Sequence, residues 1–212
     1  MTESHSEAVT GAWSGGRSPY AIGHKKLGMW LFIMSDVMTF TALLMAYSYE
    51  RLANPDWPRH VFPIWPAIAF STTMTVVLLA SSLTMVMAVA AAHRGARGSA
   101  VKWLLATMAG GLIFCGLHVR EWFHLIDSEE VRLRLFSNNL GSPLFGATFF
   151  GITGLHMTHV MCGVIYLGVI AWGFGTSRFT GEDVEVSGLY WHFVDLVWMF
   201  VFPMIYLMSV KY

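Results

Sequence analysis

Several ionisable side chains stand inside stretches of sequence that are otherwise apolar, and these are the residues with which this chain could do chemistry. Asp36 lies in Met34-Ser35-Asp36-Val37-Met38, Glu121 follows Arg120, His156 precedes His159 by three residues, and His192 precedes Asp195 by three. A spacing of three puts two side chains on one helix face. Paired histidines there can ligate a metal or haem, and a histidine beside a carboxylate can hold and pass a proton. A charged group at mid-bilayer costs about 2.5–3.5 kcal/mol even on the mildest insertion scale, so such residues are paired, sequestered or functional.

Asp36 falls about ten residues into the first apolar stretch, roughly mid-membrane at about 1.5 Å per residue. Two readings stand side by side: a proton-accessible or partner-facing carboxylate, and a hydrogen-bonded structural residue at a helix interface. His159 should sit at a similar depth, and Asp36 is expected to hydrogen-bond a histidine of the fourth span. A buried metal would need further ligands at that depth, which the sequence does not supply, so His156 and His159 are expected to bridge helices and no metal site is expected. Glu121 has His118 and His124 three residues to either side. It could serve an interfacial proton relay or a lipid headgroup, or take part in local charge neutralisation where a helix leaves the membrane, the reading preferred for Arg120. Arg120, His118, Trp191 and Trp198 are candidates for lipid or interface contact. His192 and Asp195 share a face with Trp191 and Trp198, which suggests an internal ion pair or hydrogen bond. No nucleophile–base–orienter set, phosphate loop or CxxC occurs, so no catalytic residue is assigned.

The elements that carry these groups follow from composition. The 212 residues are 55% hydrophobic and 12% charged, about half the charge fraction of an ordinary soluble domain, and mean hydropathy is +0.55. A membrane helix needs roughly 20 mostly apolar residues. Five segments meet or approach this: 27–49, 65–92, 101–123, 144–174 and 189–210. The expectation is an all-α polytopic membrane protein of five transmembrane helices. Residues 1–26 read as a polar, flexible segment without the apolar core of a signal peptide, leaving the first helix as its own insertion signal. With the N-terminus inside, the inner segments hold Arg17, Lys25, Lys26, Arg94, Arg97, Lys102 and Arg178, against Arg51, Arg59, Arg132, Arg134 and Lys211 outside. That bias orients the chain N-inside and C-outside. Net charge is zero, which removes the electrostatic case for nucleic acid. Cys115 and Cys162 lie in apolar segments and read as packed residues. The first outer loop, rich in Pro and Trp, suits an ordered cap, and the glycines of the fourth span suit close helix packing.

Four blocks then carry a resemblance: Leu27-Gly-Met-Trp-Leu-Phe-Ile-Met-Ser-Asp36, Val77-Leu-Leu-Ala-Ser-Ser82, Gly146-Ala-Thr-Phe-Phe-Gly-Ile-Thr-Gly-Leu-His156-Met-Thr-His159-Val160, and Tyr190-Trp-His-Phe-Val-Asp-Leu-Val-Trp198. From about Leu27 to Tyr212 the chain resembles subunit III of the haem–copper terminal oxidases, in a five-helix form that lacks the first two helices of the longer members. The resemblance implies a non-catalytic subunit of a cytochrome c oxidase-type, proton-pumping enzyme reducing oxygen to water. Such a subunit packs directly on subunit I, alongside subunit II and subunit IV, in a respiratory supercomplex in some cases. It holds structural phospholipids and supports proton uptake, while haem and copper reside in the partner subunits. Asp36 stands where many members carry a buried glutamate, Glu121 matches a family glutamate, and His118 replaces a common glutamine. The Met157-Thr158 pair departs from a more usual glycine-containing one. A bacterial cytoplasmic (inner) membrane is the implied location. The alternatives are subunit III of a quinol oxidase or a nitric oxide reductase-associated homologue. Outside that class stand an independent haem or metal protein using His156, His159 and His192, and a proton-coupled transporter built on Asp36 and Asp195.

Overall fold

The computed structural model describes residues 23–127, 142 and 144–211. Most of the polar N-terminal segment, with Arg132 and Arg134, therefore lies outside the described residues. Five helices follow in order: α1 (His24–Ala53), α2 (Ala69–His93), α3 (Arg97–Asp127), α4 (Leu144–Gly175) and α5 (Gly181–Val201). Residues Ile64–Ile68 form a π-helical turn leading into α2. Residues Phe202–Tyr206 and Leu207–Ser209 continue α5 as a π turn and a 3₁₀ turn. Each of the five helical segments is long and apolar enough to cross a membrane.

Helices α2 to α5 form the body of the bundle, and close backbone approach explains its tightness. At Gly111 of α3, a Cβ would lie 2.5 Å from the Trp191 ring and 2.9 Å from Val164, so only glycine lets α3, α4 and α5 meet around that indole. Small residues at such contacts replace the hydrophobic driving force that lipid does not provide. Helix α1 is different. Its buried residues are Ile33, Phe40 and Tyr47, spaced by seven, so it touches the bundle along one narrow seam. Most of its surface faces outward, including Leu31, Met38 and Met45.

Polar contacts pin α1 at both ends. Lys25 and Lys26 each reach a carboxylate at 2.6 Å, Asp183 and Glu185 respectively, at the start of α5. At the far end Arg51 donates to Ser209 Oγ at 3.0 Å and to the Met208 carbonyl. There Phe62–Pro63 (β1) pairs in parallel with Val210–Lys211 (β2), and Trp57 packs edge-on against Tyr47 and Phe145. These contacts order the Pro- and Trp-rich loop.

The fifth helix begins at Gly181, eight residues before the apolar run that marks it in the sequence. Its first two turns are polar and fall below any hydropathy threshold. They are helical because Asp183 accepts from the Thr180 backbone N–H at 2.8 Å and from its hydroxyl at 2.9 Å, satisfying groups that a helix start leaves open. Helix α3 likewise begins at Arg97 rather than near residue 101.

Candidate functional site

Two clusters of titratable residues stand out along the length of the bundle. Near mid-span, α1 and α4 meet through Asp36 and His159: the imidazole Nε2 lies 3.1 Å from Asp36 Oδ2. The pair is partly open, with 16% of the Asp36 side chain and 18% of the His159 side chain exposed. Phe40, one turn along α1, presents an edge-on ring to the same imidazole at 5.2 Å. Tyr190 of α5 donates to the His159 backbone carbonyl at 2.9 Å, anchoring this turn of α4.

The other imidazole nitrogen decides what this pair can do. His159 Nδ1 lies 2.8 Å from the Leu155 carbonyl, which only accepts, so Nδ1 carries a proton. Nε2 then either accepts from a protonated Asp36 or, as imidazolium, donates to an ionised one. Both states contain one mobile proton and are neutral as a pair. A neutral pair avoids the cost of a lone charge in hydrocarbon, and moving the proton between its members creates no net charge.

The second cluster lies toward the end of the bundle where α3 finishes. Glu121 is 6% exposed. The Ser71 hydroxyl donates to its Oε1 at 2.7 Å and the Tyr206 hydroxyl to its Oε2 at 2.7 Å. Ser71 Oγ also lies 2.9 Å from the Ala67 carbonyl, so its single proton is shared between two acceptors. His118 Nδ1 stands 3.8 Å from Glu121 Oε2, beyond hydrogen-bond distance. The π turn at Pro203 matters here: proline cannot continue the amide ladder, and the altered pitch accompanies a Tyr206 ring turned fully into the core. Glu121 is thus not a surface charge neutralised by its sequence neighbours, because its partners come from α2 and from the extension of α5. Arg120 and His124 point outward, and the Arg120 guanidinium rests 5.6 Å from the Phe70 ring centroid.

His118 and His156 are completely buried. His118 stacks on Phe114, His156 stacks on Trp198, and among the described residues none of the four ring nitrogens has a hydrogen-bond partner. His118, Trp191 and Trp198 therefore do not meet lipid, a correction to their reading as interface residues; of that set only Arg120 is exposed. The two tryptophans are buried hydrogen-bond donors instead, Trp191 to Ser81 at 3.1 Å and Trp198 to Thr75 at 2.9 Å. His192 and Asp195 do not pair with each other. The Ser82 hydroxyl lies 2.7 Å from His192 Nδ1. Asp195 is buried, and among the described residues neither of its carboxyl oxygens has a hydrogen-bond partner that meets the distance and angle of a full bond. Among the described residues no three His, Cys, Asp or Glu side chains converge as a metal-ligand set.

Comparison with known proteins follows the same lines. A family model described as "Cytochrome c oxidase subunit III" matches residues 7–210. The chain is similar to the cytochrome bo(3) ubiquinol oxidase subunit 3 of Pseudomonas aeruginosa, 30% identical over 192 residues, spanning 88% of this chain and 86% of that protein. It is 30% identical to the cytochrome c oxidase subunit 3 of Alkalihalophilus pseudofirmus, across 88% of each. The quinol oxidase subunit 3 of Bacillus subtilis is also 30% identical, across 86% of each.

Proposed function

Because the chain belongs to the cytochrome c oxidase subunit III family, we propose that it is the non-catalytic, lipid-holding and stabilising subunit of a proton-pumping haem–copper oxidase that reduces oxygen to water. It packs directly on subunit I, with subunits II and IV in the same complex, in the bacterial cytoplasmic membrane. Haem and copper belong to the partner subunits. This chain contributes helix packing, phospholipid and a proton store.

The family match over residues 7–210 carries the reading, and the Asp36–His159 contact, partly open beside the sparsely covered helix α1, supports its proton-uptake part. A pair of this kind lets one proton shift between two side chains inside the bundle, and handing it on leaves a single negative charge that the next proton taken up would neutralise. An apolar groove of ≈ 350 Å³ runs along α1 and α5, lined by Val37, next to Asp36 in sequence, and by Phe40, Leu44, Met45, Leu196 and Phe200 among others. Its apolar walls suit a phospholipid acyl chain, which would seal the pair from bulk water. Cytochrome c is the proposed electron donor. Quinol is the second reading, favoured by the two relatives named as quinol-oxidising enzymes.

The test is a mild-detergent purification through a tag on this chain. Co-purification of a haem-bearing subunit in stoichiometric amount supports the reading. The electron donor follows from whether that particle oxidises reduced cytochrome c or quinol. A Soret band retained by the isolated chain, with no second subunit, contradicts it.

A further inference from the structure

The Glu121 end of the bundle carries a groove that the proton store and the α1–α5 surface do not use. It has a volume of ≈ 190 Å³ and is lined by Pro66, Ala67 and Phe70 on one side and by Arg120, Glu121, His124 and Leu125 on the other. Arg120 and His124 are one turn apart on the exposed side of α3, whereas Glu121 is held back in the wall by Ser71 and Tyr206. Arg120 forms no ion pair among the described residues, and its guanidinium is steered toward the groove by the Phe70 ring. A cationic wall and an acidic wall thus face one cavity without satisfying each other.

Depth narrows what could do so. Helix α3 has 31 residues, about 46 Å at roughly 1.5 Å per residue, against a hydrocarbon core of about 30 Å. Each end therefore projects about 8 Å beyond the core, and Glu121, six residues before the last, lies at about that boundary. This is the level of phosphate and headgroup amine. The apolar floor of Phe70, Leu125 and Pro66 suits the first segment of an acyl chain, and Trp65, 79% exposed at the rim, matches the interfacial preference of tryptophan.

We propose that this groove binds one zwitterionic phospholipid bearing a primary ammonium, with its phosphate on Arg120 and His124 and its ammonium on Glu121. An anionic headgroup without an amine would leave Glu121 facing like charge, and a quaternary amine could not donate hydrogen bonds to it. The inference rests on the oxidase-subunit reading only for the particle in which it is tested.

The experiment uses the tagged chain in whatever complex it purifies with. The particles are reconstituted in nanodiscs of phosphatidylethanolamine, phosphatidylglycerol or phosphatidylcholine, and retained lipid is counted by native mass spectrometry after stepwise delipidation. Wild type is expected to retain one more phosphatidylethanolamine than the double variant R120Q/H124Q. E121Q keeps side-chain size and hydrogen-bonding capacity, and should shift the preference from phosphatidylethanolamine toward phosphatidylglycerol about tenfold, the effect of one charge-assisted contact. Equal retention by wild type and R120Q/H124Q overturns the proposal, as does unchanged selectivity in E121Q. Protein density from another subunit in the groove, or removal of the wild-type excess by inorganic phosphate alone, overturns it too. Absence of a haem-bearing subunit from the purified particle counts against the oxidase reading and leaves the lipid count free to decide this one.

Discussion

Asp36 meets His159 through Nε2 because the Leu155 carbonyl engages the other imidazole nitrogen. The same constraint is missing at Glu121, whose carboxyl is held by two hydroxyls and has no basic partner within hydrogen-bond distance. The two acids therefore differ in kind: one is half of a neutral proton-sharing pair, and the other is an acceptor fixed in a wall. Tyr206→Phe should leave Glu121 Oε2 without its donor in a buried site. A net loss of about 1–3 kcal/mol is expected from such a vacancy, read as a lower thermal dissociation temperature of the detergent-solubilised complex. Stability equal to wild type would mean that the Tyr206 hydroxyl contributes nothing to holding Glu121. His118 and His156 should be insensitive to headgroup composition, since both are enclosed by aromatic rings.

At the scale of elements, the bundle depends on backbone approach more than on side-chain size. Trp191 occupies the space opposite Gly111 and Gly163, where added Cβ atoms would lie 2.5 Å and 3.0 Å from its ring. Gly111→Val is expected to cost about 1–3 kcal/mol or more by overpacking and to displace the indole from Ser81. The checks are thermal stability and a shift in tryptophan emission. An unchanged spectrum with full stability would mean that α3 can move away without loss. Helix α1 works by the opposite logic: its seam of Ile33, Phe40 and Tyr47 is thin, and its ends are tied by Lys25, Lys26 and Arg51. A helix held this way leaves most of its surface free for lipid or a partner.

For the whole molecule, much of the architecture was legible in the sequence because membrane helices announce themselves by length and hydropathy. The depth of Asp36 could be counted from the start of its span, and counting brought it level with His159. The burial of Glu121 was not legible, since Ser71 and Tyr206 lie 50 and 85 residues away and are brought together only by packing. The early start of α5 carried a readable signal, Thr180 followed three residues later by Asp183, hidden by the low hydropathy of the turn. The buried roles of Trp191 and Trp198 were misread because tryptophan favours both interfaces and cores. The charge bias predicts that the Lys25 end of the bundle faces inside. Single cysteines introduced at Lys102 and at Arg59 should react with an impermeant maleimide from opposite sides of sealed spheroplasts, Arg59→Cys from outside. Labelling of Lys102→Cys alone from outside would reverse the orientation.

The most direct measurement compares wild type and Asp36→Asn in the assembled oxidase, incorporated in proteoliposomes and followed through prolonged turnover. Asparagine keeps the shape and a hydrogen bond to His159 but cannot share its proton. Haem content and initial assembly should be normal, with the number of turnovers before inactivation reduced about 3–10-fold, equivalent to about 0.7–1.4 kcal/mol. Equal turnover number and equal durability in the two enzymes would contradict it and leave the Asp36–His159 pair a structural contact alone.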